Sequence, residues 1–166
     1  ILLTAVAKRP CHIVTLEDPV EYVISSDKAL VHQREIGEDT PSFAEGVIES
    51  LREDPDIIAV GEMRDAATIE AALTAAETGH LVFATLHTTR AKDACTRIIH
   101  AFPSTRENEI RSILSSCLQH VLTQRLCRPG KETFLMREIL TNVPAVSHLI
   151  REGKDEEVPS YWEMWL

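Results

Sequence analysis

No stretch of this sequence is apolar for anything near the roughly 20 residues that a membrane-crossing helix needs. Basic excess is also missing: 17 Lys and Arg stand against 26 Asp and Glu, a formal net charge of -9. That balance argues against binding to nucleic acid or to an anionic membrane surface in bulk, because both need basic patches. Cysteine is sparse. Cys11, Cys95, Cys117 and Cys127 lie far apart, and no C-x-x-C pair occurs. A structural zinc site built on such pairs is therefore not expected, and the thiols read as small buried or half-buried groups of a reducing compartment. A secretory signal peptide, internal repeats and low-complexity tracts are lacking too. The opening residues, 1–9, have no initiator Met and read as the back half of a helix, so the chain is expected to be a fragment.

What is present is ordinary for a globular domain: 166 residues, 44% hydrophobic and 26% charged. A chain of this length buries a core without disulfides. The β-branched run at 11–16, bounded by Pro10 and Pro19, predicts a buried strand, and 30–36 predicts a weaker one. Ser42-x-x-Glu45 is a capping box ahead of Phe43, Val47 and Leu51, a helix that Pro55 stops. Residues 57–60 form a short apolar strand ending on Gly61-Glu62. An Ala-rich helix over 66–78 carries Ile69, Leu73 and Ala76 on one side and ends at Gly79. A strand over 81–86 and a helix over 91–101 follow. Apolar residues at 110, 113, 114, 117, 118, 121, 122 and 126 predict one long amphipathic helix over 106–126. A turn at Pro129-Gly130, a strand over 133–140 and a short helix over 144–152 come next, and from Lys154 the chain reads as a loosely held end. Alternating strands and helices predict an α/β sheet of mainly parallel strands, followed by a helical portion. The expected division is a core over 1–140 and a C-terminal helical segment over 141–166.

Ligands of open α/β sheets sit beyond the carboxyl ends of the strands. There the sequence places Glu17, Asp18 and Glu21, then Glu62, Arg64 and Asp65, then His87 and Thr88. Carboxylates with hydroxyls suit a hard cation such as Mg²⁺. A carboxylate at a strand end can orient or deprotonate water, and an Arg can neutralise phosphate charge. The set fits metal-assisted hydrolysis of a phosphoanhydride. No G-x-x-x-x-G-K-[ST] occurs in the sequence, so a backbone cradle and Lys for the phosphates are not among these residues.

Thr15-Leu16-Glu17-Asp18-Pro19-Val20-Glu21-Tyr22, with Gln33-Arg34-Glu35, resembles the Asp box of secretion and pilus ATPases. Residues 51–65, through Asp56-Ile57-Ile58-Ala59-Val60-Gly61-Glu62, resemble their Walker B segment. Residues 78–89, through Gly79-His80 to Leu86-His87-Thr88-Thr89, are similar to their His box. All three occur in the family's order and with similar intervals. The resemblance implies a RecA-like P-loop NTPase core whose P-loop and N-terminal PAS-like domain are absent from these residues. It implies ATP and Mg²⁺ as cofactors, a homo-hexamer, an inner-membrane pilus platform protein as partner, no nucleic acid and no zinc, and a cytoplasmic location peripheral to the bacterial inner membrane.

Among residue roles, the resemblance makes Glu62 the general base or water-orienting acid and Glu21 the second functional acid, holding Mg²⁺ or its waters. Glu17 and Asp18 either share the metal or cap the turn at Pro19. Arg64 and Asp65 either form an ion pair that shapes the site or are a purely structural pair. His80 either contacts nucleotide or caps a helix end; His87 senses the γ-phosphate, with Thr88 beside it. A zinc site at His80 and His87 is not expected, since no third soft ligand is near in sequence. His12, His32, His100, His120 and His148 read as packing or surface residues. Arg34, Arg52 and Arg97 either face a neighbouring subunit or are solvated. No tetra-cysteine module occurs, and Ala145-Val146-Ser147-His148-Leu149-Ile150-Arg151-Glu152 is similar to the retraction branch's Ala-Ile-Arg-Asn-Leu-Ile-Arg-Glu, departing at the second to fourth positions. ATP-driven pilus retraction is thus the expected function. The alternatives are a pilus assembly or type II secretion ATPase, or a non-catalytic interaction module.

Overall fold

Strand β1 (His12–Glu17) is the axis of the first half of the chain: residues 13–16 are all buried. It pairs in parallel with β2 (Leu30–Glu35) on one side and β3 (Ile57–Val60) on the other, and β3 pairs in parallel with β4 (Leu81–Ala84). The sheet order is β2-β1-β3-β4. Side chains alternate across a strand, and the core divides accordingly. Leu16, Ile58, Val60 and Val82 face one layer, against Val47 of α2 (Phe43–Ser50) and Ala71 and Ala75 of α3 (Ala66–Glu77). Ile13, Ile57, Val31 and Phe83 face the other, against Ala7, Leu3 and Val6 at α1 (Leu2–Val6) and Ala29. Burial on both faces is why these strands are continuous apolar runs rather than alternating ones.

This computed structural model describes residues 2–128 and 133–165. They form two compact units, divided between Leu86 and His87. The boundary expected at 140 falls inside a strand of the second unit. That unit contains α4 (Ala91–Ile99), α5 (Glu107–Cys117), α6 (Pro144–Arg151) and an antiparallel sheet of β5 (His120–Cys127), β6 (Phe134–Thr141) and β7 (Tyr161–Trp165). Among the described residues no helix is long and apolar enough to cross a membrane.

The α/β class and the parallel sheet agree with the expectation from the sequence; two local readings do not. The helix predicted over 106–126 ends at Cys117: Leu118 adopts φ -59°, ψ 133°, and His120–Cys127 pairs along its whole length with β6. Apolar residues at 117, 118, 121 and 122 continue a helical spacing by coincidence. The pairing with β6 satisfies the same backbone groups and decides the conformation. Nor is the stretch after Lys154 loose, since β7 is the third strand of that sheet. The predicted turn at Pro129-Gly130 lies outside the described residues.

Two buried charges organise the second unit. The Arg111 guanidinium meets Asp155 through two bonds of 2.8 and 2.9 Å and donates to the Ile150 carbonyl at 3.1 Å. The Asp155 carboxylate holds the arginine's proton more firmly than usual. Glu138, fully buried on β6, accepts from the Ala91 backbone N–H at 2.7 Å, from Thr123 Oγ1 at 3.1 Å and from Ser160 Oγ. Burial alone would raise its pKa; the donors from Ser160, Ala91 and Thr123 outweigh it and hold the carboxyl below its ordinary value. Buried without solvent nearby, Cys95 has its thiol pushed up to about 12. Glu138→Leu would strand three donors, each at about 1–3 kcal/mol. Urea unfolding should show a loss of at least ~3 kcal/mol for that variant and a smaller loss for Glu138→Gln, which keeps an acceptor.

Candidate functional site

In the order β2-β1-β3-β4 the chain leaves β1 to one side and returns to β3 on the other. The carboxyl ends of β1 and β3 therefore flank the sheet's topological switch point, the place where open α/β sheets bind ligands. Gly61 follows β3 there, and its N–H donates to the Leu16 carbonyl at 2.8 Å. A Cβ on Gly61 would stand 2.8 Å from that oxygen. Only glycine lets the end of β3 approach β1 so closely. Glu62 comes next, set beside the end of β1. Its side chain is 15% exposed and is paired with Arg64 Nη2 at 2.7 Å. The segment is fixed on the other side by Met63, whose N–H donates to the Thr85 carbonyl at 3.0 Å, and by Thr85 Oγ1, which donates to the Gly61 carbonyl.

The acids after β1 are held by residues of β2. Glu17 Oε1 accepts from Thr15 Oγ1 at 2.6 Å and from Gln33 Nε2 at 2.9 Å. Gln33 also donates to the Tyr22 carbonyl at 2.8 Å and accepts from the Ile24 N–H at 2.6 Å. Glu35 accepts from the Val20 N–H at 3.0 Å. The loop carrying Asp18 and Glu21 is thus clamped at Val20, Tyr22 and Ile24, while both carboxylates stay exposed. Gln33 and Glu35, flanking Arg34 in the quoted motif, were not singled out from the sequence as functional. Their signal is the alternation of a strand that turns both toward β1's loop.

Arg64 pairs with Glu62 rather than with Asp65, against the pairing expected from adjacency. Asp65 instead caps α3, accepting from the Thr68 N–H at 2.9 Å and from Thr68 Oγ1 at 2.9 Å. His80 lies at the amino end of β4, on the opposite edge of the sheet from Glu62. Its Nδ1 lies 3.1 Å from both Thr78 Oγ1 and the Ala75 carbonyl, which is the geometry of a helix C-terminal cap. His87 and Thr88 open the second unit, directly after Leu86. Arg34 is engaged within the chain, by Glu49 at 3.3 Å and by Glu53.

The family described as type II/IV secretion system protein matches residues 1–155. The chain belongs to that family. It is 52% identical over 144 residues to the type IV pilus retraction ATPase PilT of Pseudomonas aeruginosa, covering 86% of this chain and 42% of that protein. It is 50% identical over 154 residues to a twitching motility protein of Neisseria gonorrhoeae, covering 92% and 41%. A crystal structure of the pilus retraction motor PilT with bound ADP superposes with a TM-score of 0.89 at 48% identity, over 95% of this chain and 46% of that one. The chain thus spans less than half the length of the secretion-family relatives it matches.

For a nucleotide and Mg²⁺ the fit is partial and specific. Glu17, Asp18 and Glu21 offer the oxygen donors a hard cation takes, and Glu62 lies at the adjoining strand end. The glycine-rich cradle for phosphates is not among these residues.

Two outcomes check this geometry. Gly61→Ala should lower stability by about 1–3 kcal/mol through overpacking against the Leu16 backbone, read as a lowered urea midpoint. The Thr68 N–H, the largest influence on Asp65, holds its carboxyl below the ordinary 3.8. A lowered folded-state pKa contributes stability that is complete above the ordinary value and fades as pH falls through the lower one. Asp65→Ala should therefore cost ~1 kcal/mol near neutral pH and progressively less as the pH falls below 3.8, while Asp65→Asn keeps most of the cap.

Proposed function

We propose that the protein to which these residues belong hydrolyses ATP with Mg²⁺ as a homo-hexameric motor of type IV pilus retraction. The observation that carries this reading is Glu62: a mostly covered carboxylate, beside the end of β1 at the sheet's switch point, steered by Arg64 at 2.7 Å. The relatives named for pilus retraction and twitching motility support the direction of the motor. On α6 the retraction-like signature keeps apolar residues at its buried positions, Val146 and Ile150; of the departing residues Val146 is buried, Ser147 Oγ donates to the Ser115 carbonyl at 2.7 Å and His148 is exposed.

In this reading Glu62 orients the attacking water and takes its proton. Arg64, paired with it at 2.7 Å, aims the Glu62 carboxylate. Mg²⁺, when bound, supplies charge neutralisation on the phosphates, and Glu21 holds it or its waters, with Glu17 and Asp18 alongside. Glu17 is already committed to Thr15 and Gln33, so its second oxygen carries any such contact. His87 and Thr88 contact the phosphate side. His80 acts as a helix cap. The motor works in the cytoplasm, peripheral to the bacterial inner membrane, on a pilus platform protein there. A formal charge of -9 offers no broad basic surface for nucleic acid.

Phosphate release by the full-length protein with Mg-ATP tests this. Glu62→Gln should lower turnover by about 10²–10⁴-fold while nucleotide binding, measured by fluorescence of a labelled analogue, is kept. Unchanged turnover would transfer the role to Glu21. No turnover in the unsubstituted protein would favour a non-catalytic interaction module.

A further inference from the structure

Among the described residues one cluster has metal-ligand chemistry outside the site above. It consists of His12 on β1, His32 on β2 and Glu53 in the segment between α2 and β3. His12 pairs in register with Leu30, two residues before His32 on the same strand. The two imidazoles therefore share one face of the sheet, on neighbouring strands. Their ring planes are 86° apart. His12 Nε2 and His32 Nδ1 approach to 3.3 Å, and His32 Nδ1 lies 3.6 Å from Glu53 Oε2. All three ligand atoms lie within 4.8 Å of one another.

These separations have a physical meaning. With Zn–N bonds of 2.0–2.1 Å and tetrahedral angles, two ligand nitrogens on one zinc stand about 3.3 Å apart. The His–His separation equals that edge, and the His–carboxylate separation exceeds it by a few tenths of an ångström. The supports are in place as well. Arg34 engages Glu53 through the other carboxylate oxygen, Oε1, and so aims Oε2 at the histidines. Arg34 also pairs with Glu49, so the two carboxylates exceed its single charge. The backbone of His12 is pinned by two bonds to Asp56: its N–H donates to Asp56 Oδ2 at 2.8 Å, and its carbonyl accepts from the Asp56 N–H at 2.9 Å.

We infer that His12, His32 and Glu53 form a binding site for a divalent transition-metal ion, zinc(II), with the fourth position left to water. Two imidazoles and a carboxylate are a zinc donor set. This revises the reading of both histidines as packing or surface groups and the expectation of a zinc-free protein. The site is distinct from the Mg²⁺-type acids. His12 and Glu17 are the opposite ends of β1, about 16 Å apart at strand rise. Zinc here would tie β1, β2 and the α2–β3 segment together without touching the hydrolytic acids.

The test uses the full-length protein stripped of metal, with zinc(II) alone as the probe. Calorimetric titration should give one equivalent per chain that is lost in His32→Gln and in Glu53→Gln. The affinity drop should exceed the roughly 10–100-fold that loss of a mere outer partner brings. Zinc should also raise the Tm of the parent protein and not of His32→Gln. Cobalt(II) in the same site should show the visible d–d bands of tetrahedral nitrogen and oxygen ligation. His100→Gln, just after α4 in the other unit, should leave the titration unchanged. The inference is overturned if no zinc binds, if binding survives both His32→Gln and Glu53→Gln, or if cobalt shows a thiolate charge-transfer band that Cys11→Ser removes. Circular dichroism of each variant separates loss of a ligand from loss of the fold.

Discussion

Everything in the first unit depends on β1 being hydrogen-bonded on both edges and buried on both faces. Ile13, Val14, Thr15 and Leu16 have no solvent to turn to. Parallel pairing to β2 and β3 satisfies their backbone groups, and the two apolar layers cover their side chains. That constraint sets where the chemistry goes. Once the interior of β1 is committed, its titratable residues stand only at its ends. Its carboxyl end carries Glu17 and Asp18 beside Gly61 and Glu62, and its amino end carries His12.

The close approach at Gly61 translates this packing into a site. A backbone bond of 2.8 Å from Gly61 to Leu16 locks the exit of β3 against the exit of β1. Thr85 and Met63 lock it to β4. Glu62 therefore leaves the sheet from a rigid platform, and Arg64 completes its orientation from the exposed side. The second unit is held by different physics. Two buried ionic groups carry its tertiary bonds: Glu138 ties the start of α4 to the antiparallel sheet, and Arg111 ties α5 to the Ile150 carbonyl of α6 and to Asp155.

Much of the first unit was legible because its elements are short, apolar and punctuated. Pro10, Pro19 and Pro55 bound segments that the sheet then uses, the Ser42 capping box appears as a real cap at 3.2 Å from the Glu45 N–H, and Gly79 adopts φ 103° as a helix terminator should. The second unit was less legible. Residues 117–126 carry a spacing compatible with helix, and only the partner strand β6 makes the extended form the one that satisfies the backbone. Adjacency misled in the same way at Arg64 and Asp65. Neighbours along the chain suggested an ion pair, but the start of α3 needs Asp65 as a cap, and that leaves Arg64 for Glu62.

The sequence by itself determined the α/β class, the positions of the strands in the first unit and the set of acids that follow them, because apolar periodicity and strand ends are local properties. The tertiary structure alone decided which of those groups meet. It separated His80 from Glu62 by the length of β4, assigned Arg34 to Glu49 and Glu53, and brought His12, His32 and Glu53 within reach of one ion. Those outcomes follow from strand order and register, which are set by pairing between segments far apart in the chain and leave no mark in any single window of it.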